Sequence, residues 1–88
     1  MSVMMISEVR GQSAQGYDAM LALVGSSLKQ APGFIMHMAH QTDDGWRIIE
    51  AWDSREDATA FFAAHIAPKL PDDIRPKLSF QLLHSLVS

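Results

Sequence analysis

The tetrapeptide Thr42-Asp43-Asp44-Gly45 sits near the middle of this 88-residue chain, between two eight-residue runs rich in apolar and aromatic side chains, Phe34 to Gln41 and Trp46 to Asp53. An Asp-Gly pair tolerates the positive φ of tight hairpin turns, so the pattern predicts a β-hairpin here. Both ends of that hairpin are punctuated. Ala31-Pro32-Gly33 stops whatever precedes it, because Pro cannot continue a helical ladder and Gly readily takes the positive φ of a helix exit. Ser54 follows at once, and Ser54-x-x-Asp57 resembles a capping box with an acid where the helix dipole favours negative charge.

The flanks then fall into place. Val3 to Val9 is a short apolar run that suits a buried strand, bounded by Arg10-Gly11-Gln12-Ser13. From Ala14 to Gln30 the apolar residues Tyr17, Met20, Leu21, Val24 and Leu28 recur at helical spacing. A second helix starts near Arg55 and presents Ala58, Phe61, Phe62, His65 and Ile66 on one face before Pro68. Lys69 to Lys77 is a connection. Leu78 to Val87 carries apolar residues at positions of both parities and reads as a last strand with little exposed surface.

Strand, helix, hairpin, helix, strand predicts a single α+β domain over residues 1–88, with a ferredoxin-like βαββαβ order. Its four-stranded antiparallel sheet carries both helices on one face. The other face needs a cover. Phe34, Met36 and Met38 are expected to point one way and Ile35 and Ala39 the other, so neither side of the second strand is purely polar. A two-fold contact with the same face of a second subunit is the expected solution, making a homodimer. A hydrophobic content of 48%, against 19% charged residues, is in keeping with an apolar interface.

Composition removes several functions. A net charge of −3 with seven scattered Lys and Arg offers no basic stripe for nucleic acid. No apolar run approaches the roughly 18 residues of a membrane span, and Met1 to Arg10 lack the basic start of a leader, so a cytoplasmic protein is expected. Without cysteine there is neither a disulfide nor a thiolate site. His37 and His40, three apart on a strand, leave opposite faces and do not chelate one ion. Asp43-Asp44 and Asp72-Asp73 read as turn formers, so no metal is expected. Ser26-Ser27 and Ser54 lack a nucleophile-elbow setting, and the five glycines form no phosphate loop.

The hairpin places the remaining chemistry. Whether the loop is Asp44-Gly45 or Thr42 to Gly45, opposed positions have an odd sum, which sets His37 beside Trp46, Glu50 and Trp52 and sets His40 with Met36, Met38, Arg47 and Asp53. A Glu50 carboxylate orienting His37 would make it a general base against an aromatic wall of Trp46 and Trp52. A cross-strand His–Glu pair that merely supports the sheet is the alternative. His65, four residues after Phe61, either approaches a ligand between helix and sheet or complements the helix C-terminal dipole.

The run Pro32-Gly33-Phe34-x-x-His37, then Gly45-Trp46-Arg47-x-x-Glu50-x-Trp52-Asp53-Ser54-x-Glu56, then Phe61-Phe62, resembles the antibiotic-biosynthesis-monooxygenase-like proteins of the dimeric α/β-barrel superfamily. That resemblance implies a dimeric barrel and, among its branches, three functions. One is a cofactor-independent monooxygenase for a small aromatic or polyketide-like substrate, in which Trp52 or Trp46 and His65 match the family's sheet Trp and helix His at the substrate, while the hairpin register supplies His37 and Glu50 as the catalytic pair. Another is a non-catalytic dimer that binds a small apolar ligand or serves as an accessory subunit. The third is a haem-binding or haem-degrading variant using His65. In the oxygenase and haem branches an Asn accompanies the pocket Trp, whereas this sequence contains no Asn.

Overall fold

The computed structural model describes residues 1–87. Its elements are β1 (Val3–Arg10), α1 (Ala14–Gln30), β2 (Phe34–Thr42), β3 (Gly45–Trp52), α2 (Arg55–Phe61) and β4 (Lys77–Leu82). The strands form one antiparallel sheet in the order β2-β3-β1-β4, the ferredoxin-like arrangement expected from the sequence. Each helix begins on a serine cap. The Ser13 hydroxyl accepts from the Gly16 amide at 3.0 Å and the Ser54 hydroxyl accepts from the Asp57 amide at 3.1 Å, which satisfies donors that the first helical turn leaves open. Gly33 ends the exit from α1 at φ +84°, as its position after Ala31-Pro32 requires.

Strand alternation divides the sheet. Val3, Met5, Ser7 and Val9 of β1 are all buried against the helices, and Val24 and Leu28 of α1, Ala58 and Phe61 of α2, and Trp52 of β3 complete the core. Trp52 is 0% exposed; burying a side chain of this kind contributes about 1.5–3 kcal/mol, much of what so short a chain can spare. On the opposite face, the register brings Met4, Ile6, Met36, Met38, Ile49 and Ala51 together in one apolar patch, edged by the Glu8–Arg47 ion pair and His40.

Four sequence expectations are corrected. A bulge between Phe34 and Met36 absorbs Ile35, so Phe34 pairs with Trp52 and packs edge-on against it in the core instead of sharing the face of Met36 and Met38. The hairpin turn is Asp43-Asp44, with neither residue at positive φ, and Gly45 is the first residue of β3. Glycine is needed there for space: a Cβ at Gly45 would collide with the Val9 carbonyl on β1. The last strand stops at Leu82, which pairs with Val3, because β1 has run out of partners; Leu82, Leu86 and Val87 are exposed. The second helix loses regular α geometry after Phe61 and continues as a π turn, Phe62–Ile66, and a 3-10 turn, Ala67–Lys69. Pro68 has no N–H for the α ladder and its ring crowds the carbonyl four residues earlier, which a widened turn relieves. No helix among the described residues is long and apolar enough to cross a membrane.

Candidate functional site

The odd-sum register holds: His37 faces Glu50 across β2 and β3, and Gln41 faces Trp46. The Glu50–His37 row lies on the helix-covered face, in line with Met5 of β1. His37 Nδ1 is 2.7 Å from Glu50 Oε2, and the Trp52 indole N–H donates to Glu50 Oε1 at 2.9 Å. Glu50 is only 7% exposed, and a carboxylate so placed is tolerated because both oxygens are engaged. Trp52 therefore acts on this site from the core, by holding the acid.

Tyr17 completes the cluster. It projects from the first turns of α1, and its hydroxyl is 2.5 Å from His37 Nε2. Its ring stacks on His37 and on Trp46, with centroid separations of 5.9 and 5.3 Å. Burial, the nearby Glu50 carboxylate and Asp18, in that order, push the phenol pKa above its ordinary value, so Tyr17 keeps its proton at neutral pH. Tyr17, His37 and Glu50 line a cavity of ≈ 70 Å³ between α1, the sheet and the α2 side, where Val24, Phe62 and Ile66 supply apolar walls. Trp46 reaches the cluster through the Tyr17 ring, and its indole N–H is buried without a partner.

The remaining expected residues lie elsewhere. His65 stacks on Phe61 at 4.8 Å and borders a separate, open groove of ≈ 400 Å³ between the end of α1 and α2, together with Gln30 and Asp57. Phe61 stands between that groove and the His37 cavity and lines both. His40 lies on the outer face beside Arg47, at 3.3 Å from its Nη1. Tyr17 is the site residue that sequence reasoning passes over, since it fits the apolar stripe of α1. The available signal is chemical: a tyrosine ring in a buried stripe carries a hydroxyl that needs a partner.

Together these groups form a chain, Tyr17–His37–Glu50–Trp52, whose ends are a phenol on a cavity and an indole in the core. A chain of this kind has the chemical means to take up a proton at the cavity and to hold an imidazolium against a carboxylate.

No family model and no curated protein matches the chain. Solved structures do match, and they define its class as the ferredoxin-like fold shared by the antibiotic-biosynthesis-monooxygenase-like proteins. Among them is SnoaB, a cofactor-independent oxygenase from Streptomyces nogalater, at 14% identity and TM-score 0.72, with 98% of this chain and 96% of that one covered. The heme-degrader MhuD from Mycobacterium tuberculosis matches at 16% identity and TM-score 0.63 over 100% of both chains. A candidate antibiotic biosynthesis monooxygenase from Bacillus cereus matches at 13% identity and TM-score 0.52, over 99% of this chain and 94% of that one.

Proposed function

We propose that the protein is a cofactor-independent monooxygenase-like enzyme for a small aromatic or polyketide-like substrate, acting as a cytoplasmic homodimer. The observation that carries this reading is the Tyr17–His37–Glu50 chain on the wall of an apolar cavity, in a fold shared with a cofactor-independent oxygenase. His37 is the base that stores the substrate's proton, Glu50 orients and compensates it, and Trp46 and Trp52 fix the two ends of the cluster from behind.

Removing a proton from an activated CH2 of an anthrone-like substrate leaves a carbanion, conjugated as an aryloxide, rich enough in electrons to reduce dioxygen directly. The C–O bond then forms, reprotonation gives a hydroperoxide at that carbon, and loss of water leaves a carbonyl. One oxygen atom goes to product and one to water, so the substrate supplies all the electrons and no cofactor is required. Oxygen uptake with anthrone as the probe tests this reading. His37→Gln should lower the rate by about 10²–10⁴-fold if the imidazole is the base. Unchanged uptake in that variant rules the assignment out.

The ≈ 70 Å³ cavity is about half the roughly 150 Å³ known to admit a benzene ring, which favours a second reading for the closed state: a binding protein for a smaller apolar ligand. In the enzymatic reading the wall formed by Phe62, Ile66, Leu70 and Pro76 moves outward as substrate enters.

The homodimer is proposed on the apolar patch of Met4, Ile6, Met36, Met38, Ile49 and Ala51, which the helices of one chain leave uncovered. Light scattering at micromolar concentration should give about twice the 9.7 kDa of one chain.

A further inference from the structure

Both nitrogens of the His37 ring are occupied, Nδ1 by Glu50 and Nε2 by Tyr17. The direction of each bond follows from the group at the far end. Trp52 Nε1 only donates, and an ionised Glu50 only accepts, so Glu50 takes one bond from Trp52 and one from the Nδ1–H of His37. In the neutral ring this leaves Nε2 as an acceptor, and the Tyr17 hydroxyl donates to it. Tyr17 and His37 both line the cavity, but the bound imidazole has no free nitrogen for a substrate, whereas the Tyr17 oxygen still has lone pairs to offer. Stacking of the Tyr17 ring on Trp46 and His37 holds it in that position.

We infer that Tyr17 is the catalytic residue that meets the ligand, receiving its acidic proton while passing its own to His37. The inference rests on the enzymatic reading above and names the group through which that site works. The step balances. The ligand's C–H or O–H bond breaks and a new Tyr17 O–H bond forms; the original Tyr17 O–H bond breaks and an Nε2–H bond forms on His37. Tyr17 is a neutral phenol before and after. The charge that appears is an imidazolium paired with Glu50, opposite the ligand anion. The ligand class follows from the same geometry: a largely apolar molecule with one weakly acidic C–H or hydroxyl and at most a carbonyl conjugated with it, since beyond the Tyr17–His37–Glu50 cluster only Ser7 and Gln12 bring polar side chains to the lining.

The test separates proton removal from oxygen chemistry by working under nitrogen with anthrone, whose anion absorbs in the visible and whose binding quenches tryptophan fluorescence. Wild-type protein should ionise anthrone without oxygen, and Tyr17→Phe should bind it within about twofold of wild type yet ionise it at least 100-fold more slowly. His37→Gln should show the same loss. If Tyr17→Phe ionises anthrone at the wild-type rate and His37→Gln does not, His37 meets the ligand itself and the inference falls. If wild type binds anthrone without ionising it, the relay falls as well. Ionisation with no oxygen uptake in air keeps the relay and rejects the oxygenase reading. A ligand-free measurement on the wild type covers poor folding of a variant or a failure to bind anthrone: the 15N spectrum of the neutral His37 ring should show a proton on Nδ1 and none on Nε2, and a proton on Nε2 overturns the inference.

Discussion

Trp46 lies over Tyr17 with ring centroids 5.3 Å apart and planes 28° apart, and its indole N–H is the one buried side-chain donor among the described residues that lacks a partner. The stack and the orphan donor make separate contributions. Trp46→Phe keeps an aromatic surface on Tyr17 and removes the unsatisfied N–H, so it should leave stability unchanged or raise it by about 1 kcal/mol in urea denaturation. Trp46→Ala should lose about 3 kcal/mol, because the ring under Tyr17 goes with it.

Tyr17 is the chain's single tyrosine, so absorbance near 295 nm titrates it without interference from another phenol. Burial, Glu50 and Asp18 raise its pKa, and the midpoint should lie above 10. Glu50→Gln should move it back toward 10. The sign for stability follows: the folded state holds the phenolic proton more tightly than the unfolded chain. The associated stability is therefore fully present below the unfolded pKa and is lost as pH rises through the folded one. Chemical denaturation between pH 8 and pH 11 should show stability falling only in the upper part of that range.

Glu50 is where the sheet and the site depend on each other. Glu50→Ala leaves the donors of His37 and Trp52 unpaired in a buried place and should cost about 3 kcal/mol or more. Glu50→Gln keeps a carbonyl for one of the two and should cost about 1–2 kcal/mol. If the carboxylate also works as the counter-charge of an imidazolium, Gln should depress turnover well beyond what its loss of stability explains. Urea melts and oxygen uptake on the same preparations separate the two effects.

Met38 is 50% exposed in the single chain, on the edge strand β2, where it faces Ile49 within the outer apolar patch. Met38→Lys should therefore weaken self-association at least tenfold by light scattering, with little change in the fold's own circular dichroism. Leu23→Lys is the control, since Leu23 is also exposed but lies on α1, on the opposite side of the sheet.

Much of this arrangement is legible in the sequence because it depends on local rules. Ser54 as a cap, Gly33 at a helix exit, and the parity that puts His37 opposite Glu50 all follow from neighbouring residues. What is not legible depends on distant parts of the chain. The need for glycine at position 45 comes from the Val9 backbone, far away in sequence, and looks like a turn preference when only Asp44-Gly45 is read. The bulge at Ile35 answers the demand of Trp52 for Phe34 in the core. Tyr17 belongs to the site because α1 descends onto β2 and β3 at the height of His37, and helical spacing alone cannot distinguish that from ordinary packing.

The π turn at Phe62–Ile66 gives the cavity wall a mechanical character of its own. Regular α-helix resists bending because each residue is tied into a repeating ladder; where the repeat is already broken, outward displacement ruptures fewer ties. Phe62 and Ile66 are thus mounted on the π turn and Leu70 just past the 3-10 turn that follows it, while Tyr17, His37 and Glu50 are mounted on a long helix and on the paired strands β2 and β3. Amide exchange should accordingly be fast from Phe62 to Arg75 and slow along β1 and β3, so that the enclosure breathes around a Tyr17–His37–Glu50 cluster that stays still.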